Sequence, residues 1–270
     1  MDFSDIEARG LVLLGCGKMG SALLAGWLHR GLDPSSVHVL DPHPSDWLNR
    51  QGVRLNADIV EPPAIVLIAV KPQLMQAALP WVGEFGNGAT LFISIAAGTT
   101  LAVLEDALGV KTPIIRTMPN TPAAAGKGIT ALIGNTYVTP AQMMLAEGLM
   151  SAVGQTVRLE AEAQMDAVTA LSGSGPAYVF HLIECMAAAG EAEGLAPALA
   201  LQLAKATVAG AGYLAEHSEE APAQLRENVT SPNGTTAAAL SVLMNDDAGL
   251  ASLMRRAIRA AALRSQELSQ

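Results

Sequence analysis

The most constraining stretch of this chain is Gly15-Cys16-Gly17-Lys18-Met19-Gly20, a G-x-G-x-x-G turn. It ends the apolar run LVLLG at 11–15 and opens an amphipathic stretch from Lys18 to Arg30. The pattern has weight in that strand–turn–helix setting because each glycine has its own reason. Gly15 permits the tight turn, Gly17 lets a pyrophosphate approach the backbone, and Gly20 lets the helix pack on the strand. The helix start adds N–H groups with no partner inside the helix, which favour phosphate. Asp41 closes the next strand-like run, VHVL at 37–40. An acid roughly 20 residues past such a turn binds the adenosine ribose hydroxyls; the competing reading is a turn-forming Asp before Pro42. A carboxylate there opposes the extra phosphate of NADP, and His43 and Arg50 stand near enough in sequence to offset it. Both NADH and NADPH therefore stay open as cofactors.

The first half alternates strand-like and helix-like runs. IVLIAV (65–70), TLFISIA (90–96) and PIIRTM (113–118) are unbroken apolar strands, with helical patterns at 73–80 and 100–108 between them. Such strands imply a parallel sheet covered on both faces. GITALIG (128–134) and TVRLE (156–160) supply further edge strands. Between them runs a helix capped by Thr139, with Pro140 in its first turn and Gly154 at its end. Polar or small residues gather where the strands end, the ligand-binding edge of such a sheet. These are Val70-Lys71-Pro72, Ala96-Ala97-Gly98, and the stiff loop Arg116-Thr117-Met118-Pro119-Asn120-Thr121-Pro122.

After Glu160 the strand signal disappears, and 162–171, 176–194, 197–216, 220–229, 235–244 and 248–268 read as helices. The shift places a domain boundary near residue 160: a Rossmann-type α/β domain over 1–160 and an all-α domain over 161–270. Ser172-Gly173-Ser174-Gly175-Pro176-Ala177-Tyr178 opens a long helix, with Ser174 as its cap. Val229-Thr230-Ser231-Pro232-Asn233-Gly234-Thr235-Thr236 opens another. Its hydroxyls, glycine and helix-start N–H groups make an anion site fit for a carboxylate. For both loops an ordinary helix start is the bland alternative.

Composition narrows the classes of function. Half of the 270 residues are apolar and 15% are charged, which suits a folded, core-bearing chain. The net charge of -9 and the lack of a basic stripe argue against nucleic acid. Cys16 and Cys185 lie far apart, no Cys/His cluster has metal-ligand spacing, and both read as small buried residues in a reducing compartment. The uncharged stretch 85–104 has about the length that spans a bilayer, but Gly86, Asn87, Gly88, Ser94, Gly98, Thr99 and Thr100 interrupt it. A buried strand, a loop and a helix start is its better reading, with no membrane partner and a cytoplasmic location.

Taken together, GCGKMG, AVKP, AAG, MPNTP, SGSGPAY and LRENVTSPNGTTAAAL (225–240) resemble the pyrroline-5-carboxylate reductase family over nearly the whole chain. The resemblance implies a Rossmann domain followed by an all-helical dimerisation domain. It implies an active site between them completed by the dimer partner, and a homodimer that can assemble into a larger ring of dimers. The implied reaction is reduction of L-1-pyrroline-5-carboxylate to L-proline by NADPH or NADH, the last step of proline biosynthesis. Carried onto this chain, Gly15, Gly17, Lys18 and Met19 match the turn under the pyrophosphate. Asn56 matches a residue at the adenosine end; Val70, Lys71 and Pro72 run along the cofactor, Ala97 stands near the nicotinamide, and Asn120 belongs to the same rim. Glu219, Asn228, Ser231, Gly234, Thr235 and Thr236 match positions around the substrate, with Thr236 set to hydrogen-bond the ring nitrogen and Glu219 to favour the iminium. Asn233-Gly234 replaces the frequent Gly-Gly, which Asn tolerates because it enters the left-handed region. An acid at Asp41 departs from members that prefer NADPH. Two rivals stand beside this reading. One is a dehydrogenase of the 3-hydroxyisobutyrate type, whose Lys is missing from the helix PAYVFHLIECMAAAGEAEG. The other is a dinucleotide-binding regulator without turnover.

Overall fold

The computed structural model describes residues 3–268. Eight strands form one sheet: β1 (Leu11–Leu14), β2 (Val37–Leu40), β3 (Arg54–Leu55), β4 (Ile65–Ile68), β5 (Leu91–Ser94), β6 (Ile114–Met118), β7 (Gly128–Gly134) and β8 (Gly154–Arg158). Their order is β3-β2-β1-β4-β5-β6-β7-β8, parallel throughout except for the antiparallel β6–β7 pair. The order reverses at β1, so the crevice at the carboxyl ends of β1 and β4 is the ligand-binding switch point of a doubly wound fold.

Alternation along the strands explains why both faces are covered. Leu11, Leu13, Val39, Leu67 and Ile93 enter one cluster with Leu23, Trp27 and Leu149; Val12, Leu14, Val66, Ile68 and Phe92 enter another with Leu104, Leu108 and Phe85. The first cluster lies under α2 (Lys18–His29) and α5 (Pro140–Ser151), tied by a buried hydrogen bond from Trp27 Nε1 to the Leu149 carbonyl at 2.9 Å. The second is covered by α3 (Met75–Ala78) and α4 (Leu101–Leu108). α5 begins as its sequence implies: Thr139 and Gln142 form a reciprocal capping box. The uncharged stretch 85–104 resolves into β5, a loop and the start of α4.

Several elements differ from expectation. The 73–80 helix is one turn of α3 between two 3₁₀ turns, with Pro72 first in one and Pro80 second in the other. Residues 162–171 are a 3₁₀ turn, α6 (Met165–Val168) and a π turn over Thr169–Gly173. α1 (Ser4–Arg9) and the two-residue β3 had no signal long enough to read. α5 ends before Gly154, which instead starts β8.

Packing divides the chain into two compact units. One holds the chain up to Gly173 and again from Ala262; the other is Ser174–Ala261. Strands end at Arg158, so the change of composition near 160 precedes the change of packing unit. The second unit holds α7 (Gly175–Ala192), α8 (Pro197–His217), α9 (Pro222–Asn228), α10 (Thr235–Leu243) and most of α11 (Leu250–Leu268). Its buried apolar residues, among the described ones, are Ala187, Ala200 and Ala204, while Phe180, Leu199, Leu203 and Leu214 are exposed. Cys185 is exposed on α7, which corrects the reading of both cysteines as buried; Cys16 is buried.

His38 on β2 supplies a pH-dependent contribution. Its Nε2 lies 3.3 Å from Arg54 Nη1, and because guanidinium only donates, Nε2 accepts and the proton sits on Nδ1. Nδ1 is buried without a partner. Burial, and then the Arg54 charge, push the His38 pKa below its ordinary 6.5. The unfolded chain therefore takes the proton more readily, so stability present above pH 6.5 is lost as pH falls through that value toward the folded pKa. The melting temperature of His38→Gln should consequently fall less on acidification than that of the native protein. Parallel melting curves for the two proteins would overturn this assignment.

Candidate active site

The glycine-rich turn is built as its spacing implies. Gly15 has φ +87°, and a Cβ there would meet Val70 Cγ1 at 2.8 Å and the Ala69 carbonyl at 3.0 Å. A side chain is therefore excluded twice, by conformation and by the passing β4 strand end. A Cβ on Gly20 would lie 2.8 Å from the Gly15 carbonyl, whereas one on Gly17 would meet nothing within 4 Å. Gly17 is thus open to a ligand at the N-terminus of α2, where it is the cap residue without a side-chain bond. Lys18 is exposed beside it, and Met19 packs partly into the core.

Asp41 is held at this turn by its neighbours. Its Oδ2 accepts from the Cys16 N–H at 2.7 Å and its Oδ1 from the His43 N–H at 2.8 Å. Asn56, left-handed at φ +50°, grips the Asp41 backbone at two points: its Oδ1 accepts from the Asp41 N–H and its Nδ2 donates to the Asp41 carbonyl. The structure thus links two residues that sequence spacing left separate. Cys16 is buried beside Asp41. Burial pushes its thiol pKa up and the Asp41 charge adds to that, against the opposing hydrogen bond from Ser21.

Beyond Asp41 a cleft of about 170 Å³ is lined by Leu14, Leu40, Pro42, Val70, Leu74 and Trp81, among others. An apolar cleft that reaches Leu14 and Leu40, close in the chain to the open Gly17 and the Asp41 carboxylate, suits a flat aromatic base, a ribose and a pyrophosphate in that order. Trp81 carried no sequence signal; it reaches the cleft only because the 3₁₀ turn at 79–81 brings it there. Lys71 and Pro72 leave β4 at the same edge, both exposed. Ala97 is exposed on the loop after β5, with Ala96 buried behind it. Asn120 belongs to this rim but its amide is already engaged, donating to the Ser172 carbonyl at 3.1 Å and accepting from the Ile129 N–H at 2.9 Å. That amide keeps one N–H and one oxygen lone pair for a further partner.

The second unit carries the other loop. Gly234 is the N-cap of α10, with no side-chain cap bond, so Thr235 and Thr236 are the first two helical residues. Asn233 takes the left-handed conformation at φ +59°, as its replacement of glycine requires. A Cβ on Gly234 would press on the Ser231 hydroxyl, so a larger residue there would displace that side chain. Thr235 and Ser231 are exposed and Thr236 is half-buried. Asn228 Nδ2 donates to Glu220 Oε2 at 2.9 Å, so the carboxylate joined to Asn228 is Glu220 and not the adjacent Glu219. Glu219 lies on the exposed turn between α8 and α9. Ser174 precedes α7 but makes no capping bond, contrary to expectation.

The family description "Pyrroline-5-carboxylate reductase dimerisation" matches residues 162–268, and "NADP oxidoreductase coenzyme F420-dependent" matches 11–98. The chain is 40% identical over 266 residues to the pyrroline-5-carboxylate reductase of Pseudomonas aeruginosa, covering 96% of this chain and 97% of the relative. The chain belongs to the pyrroline-5-carboxylate reductase family. Solved structures agree with the fold of this reductase. One from Coxiella burnetii is 34% identical with a TM-score of 0.90, covering 97% of this chain and 99% of the other. One from Plasmodium falciparum, solved with NADP bound, is 27% identical with a TM-score of 0.84, covering 98% and 99%. In this reductase the motif residues of the cofactor turn fall in the first compact unit and those of the 230–236 loop in the second. Among the described residues no group of three or more His, Cys, Asp or Glu stands close enough to hold a metal ion.

Proposed function

We propose that this chain reduces the cyclic imine of L-1-pyrroline-5-carboxylate to L-proline with NADPH or NADH, the last step of proline biosynthesis. The observation that carries this reading is the match to the Pseudomonas relative over nearly all of both chains, which spans both motif-bearing units. The cofactor, when bound, supplies a hydride to the imine carbon, and the C=N π electrons pass to the ring nitrogen. With a protonated imine, little acid chemistry is asked of the protein, and catalysis rests on holding the ring in place.

The residue roles follow as proposals. Gly15, Gly17, Lys18 and Met19 hold the pyrophosphate, Asp41 and Asn56 shape the ribose end, and Val70, Lys71, Pro72 and Ala97 line the rest of the cofactor. Asn120 braces its loop. Ser231, Gly234 and Thr235 hold the substrate carboxylate at the start of α10, with Asn228 supporting that loop. Thr236 hydrogen-bonds the ring nitrogen, and the Glu219 charge favours the iminium. Purified protein given pyrroline-5-carboxylate and each reduced cofactor in turn should form proline; no turnover with either would overturn the reading.

The enzyme works as a homodimer, which can assemble into a ring of dimers, in the cytoplasm. A helical unit whose buried apolar residues are three alanines has too little core of its own, and large exposed apolar patches mark interaction surfaces. α8 is long and apolar enough to cross a membrane by length and composition, but a second copy of this chain is the better cover for it. Sedimentation at micromolar concentration should therefore show no folded, active monomer, since obligate dimers share their core. An active monomer would overturn this assembly.

A further inference from the structure

The loop Ala96–Thr100, which leads from β5 into α4, is fixed by side chains far from it in sequence. Glu162, in the turn after β8, places Oε1 where it accepts from the Leu101 N–H at 2.8 Å and from Arg116 Nη1 at 2.7 Å. Arg116 is a buried residue of β6, 4% exposed, and its partner is half-buried. One carboxylate oxygen thus joins a core strand, the first helical N–H of α4 and a turn 61 residues beyond that N–H. The bond is not the ordinary cap of α4, because Thr100 Oγ1 already accepts from the Val103 N–H at 3.3 Å. The other end of the loop is held as well. Ala96 N–H donates to Ser94 Oγ at 3.3 Å, and Thr117 Oγ1 donates to the Ser94 carbonyl at 3.0 Å. In the middle, Gly98 has φ +74°, and a Cβ there would come within 3.1 Å of the Leu268 carbonyl. The last turn of α11 is itself tied down by Ser265 Oγ donating to Asp166 Oδ1 at 2.6 Å. Within the loop, Ala97 is the exposed residue.

We propose that Glu162 is a positioning residue for hydride transfer, braced by Arg116 and acting through the Leu101 N–H to fix the height of the Ala96–Thr100 loop. The proposal rests on the reading that Ala97 lies beside the nicotinamide. A loop under a reacting ring has to be stiff, because misplacement of about 1 Å can cost on the order of 100-fold in rate. A charge-assisted bond at a helix N-terminus supplies that stiffness without placing a charge on the loop itself.

The test compares Leu101→Pro with Leu101→Ala. Both shorten the same buried side chain, but only proline lacks the N–H. Proline suits the first helical position, and Thr100 is already extended at ψ 161°, as a residue before proline prefers. Single-turnover hydride transfer from NADPH to pyrroline-5-carboxylate should be about tenfold slower in Leu101→Pro than in Leu101→Ala, with NADPH affinity within about twofold. Equal single-turnover rates in the two variants would overturn the proposal. Glu162→Gln keeps an oxygen that accepts both bonds but loses the charge, so its rate should lie between that of the native protein and that of Glu162→Ala, which should slow like the proline variant. A lowered melting temperature in Glu162→Ala with a native single-turnover rate per folded molecule would show a purely structural tie. Ala97→Val separates the underlying reading: if it changes neither cofactor affinity nor rate, the loop is not beside the nicotinamide and the proposal falls with it. If Ala97→Val slows transfer while Leu101→Pro matches Leu101→Ala, the reading stands and the positioning role of Glu162 does not.

Discussion

Replacing Thr236 with alanine should lower kcat/KM for pyrroline-5-carboxylate about 10- to 150-fold, because one hydrogen bond to a charged group contributes roughly 1.5–3 kcal/mol. The hydroxyl can donate to a neutral imine nitrogen or accept from an iminium N–H, so it serves either form of the ring. The structure sharpens this test. Gly234 is the cap of α10 and Thr236 is the second helical residue, so the threonine is not the N-cap. Alanine has the better helix propensity, and the melting temperature should hold or rise slightly while the rate falls. An unchanged rate, with or without a change in melting temperature, would remove Thr236 from the substrate site.

Replacing Asp41 with serine should raise kcat/KM with NADPH relative to NADH by about 10- to 100-fold. Two like charges about 5 Å apart repel by about 3 kcal/mol at an effective dielectric near 20, so a carboxylate beside a 2′-phosphate is costly. In native protein NADH should accordingly serve at least as well as NADPH. Asp41 has a second task, since its Oδ2 holds the Cys16 N–H of the phosphate turn. The two tasks give different results. Loss of ribose contact shifts one cofactor against the other, whereas loosening of the turn lowers both together. A native preference for NADPH that serine leaves untouched would mean that Asp41 does not meet the ribose.

Much of this architecture is legible one segment at a time. β1, β2, β4 and β5 are short apolar runs whose alternate residues face two different cores, so their burial follows from composition alone. Thr139 announces its helix cap by standing just before Pro140, and Asn233 announces its left-handed turn by being one of the few residues that tolerate it. The 73–80 stretch reads less well because 3₁₀ turns holding Pro72 and Pro80 flank its one α-helical turn, and 162–171 because a π turn closes it at Gly173. β3 is two residues, Arg54 exposed and Leu55 half-buried, that form a strand only because β2 is there to pair with.

By itself, then, the sequence determined the fold class, the glycine turn, the order of the motifs and the family they resemble. Each of these rests on local periodicity or on residues close together along the chain. Only the tertiary structure decided which distant polar groups meet: Asp41 with the Cys16 N–H, the Asn120 amide with Ser172, and Glu162 with Arg116 and Leu101. A half-buried carboxylate or amide takes whichever donor the packed elements bring within about 3 Å. That choice is set by how strands and turns dozens of residues apart come to lie side by side, which no spacing in the chain encodes.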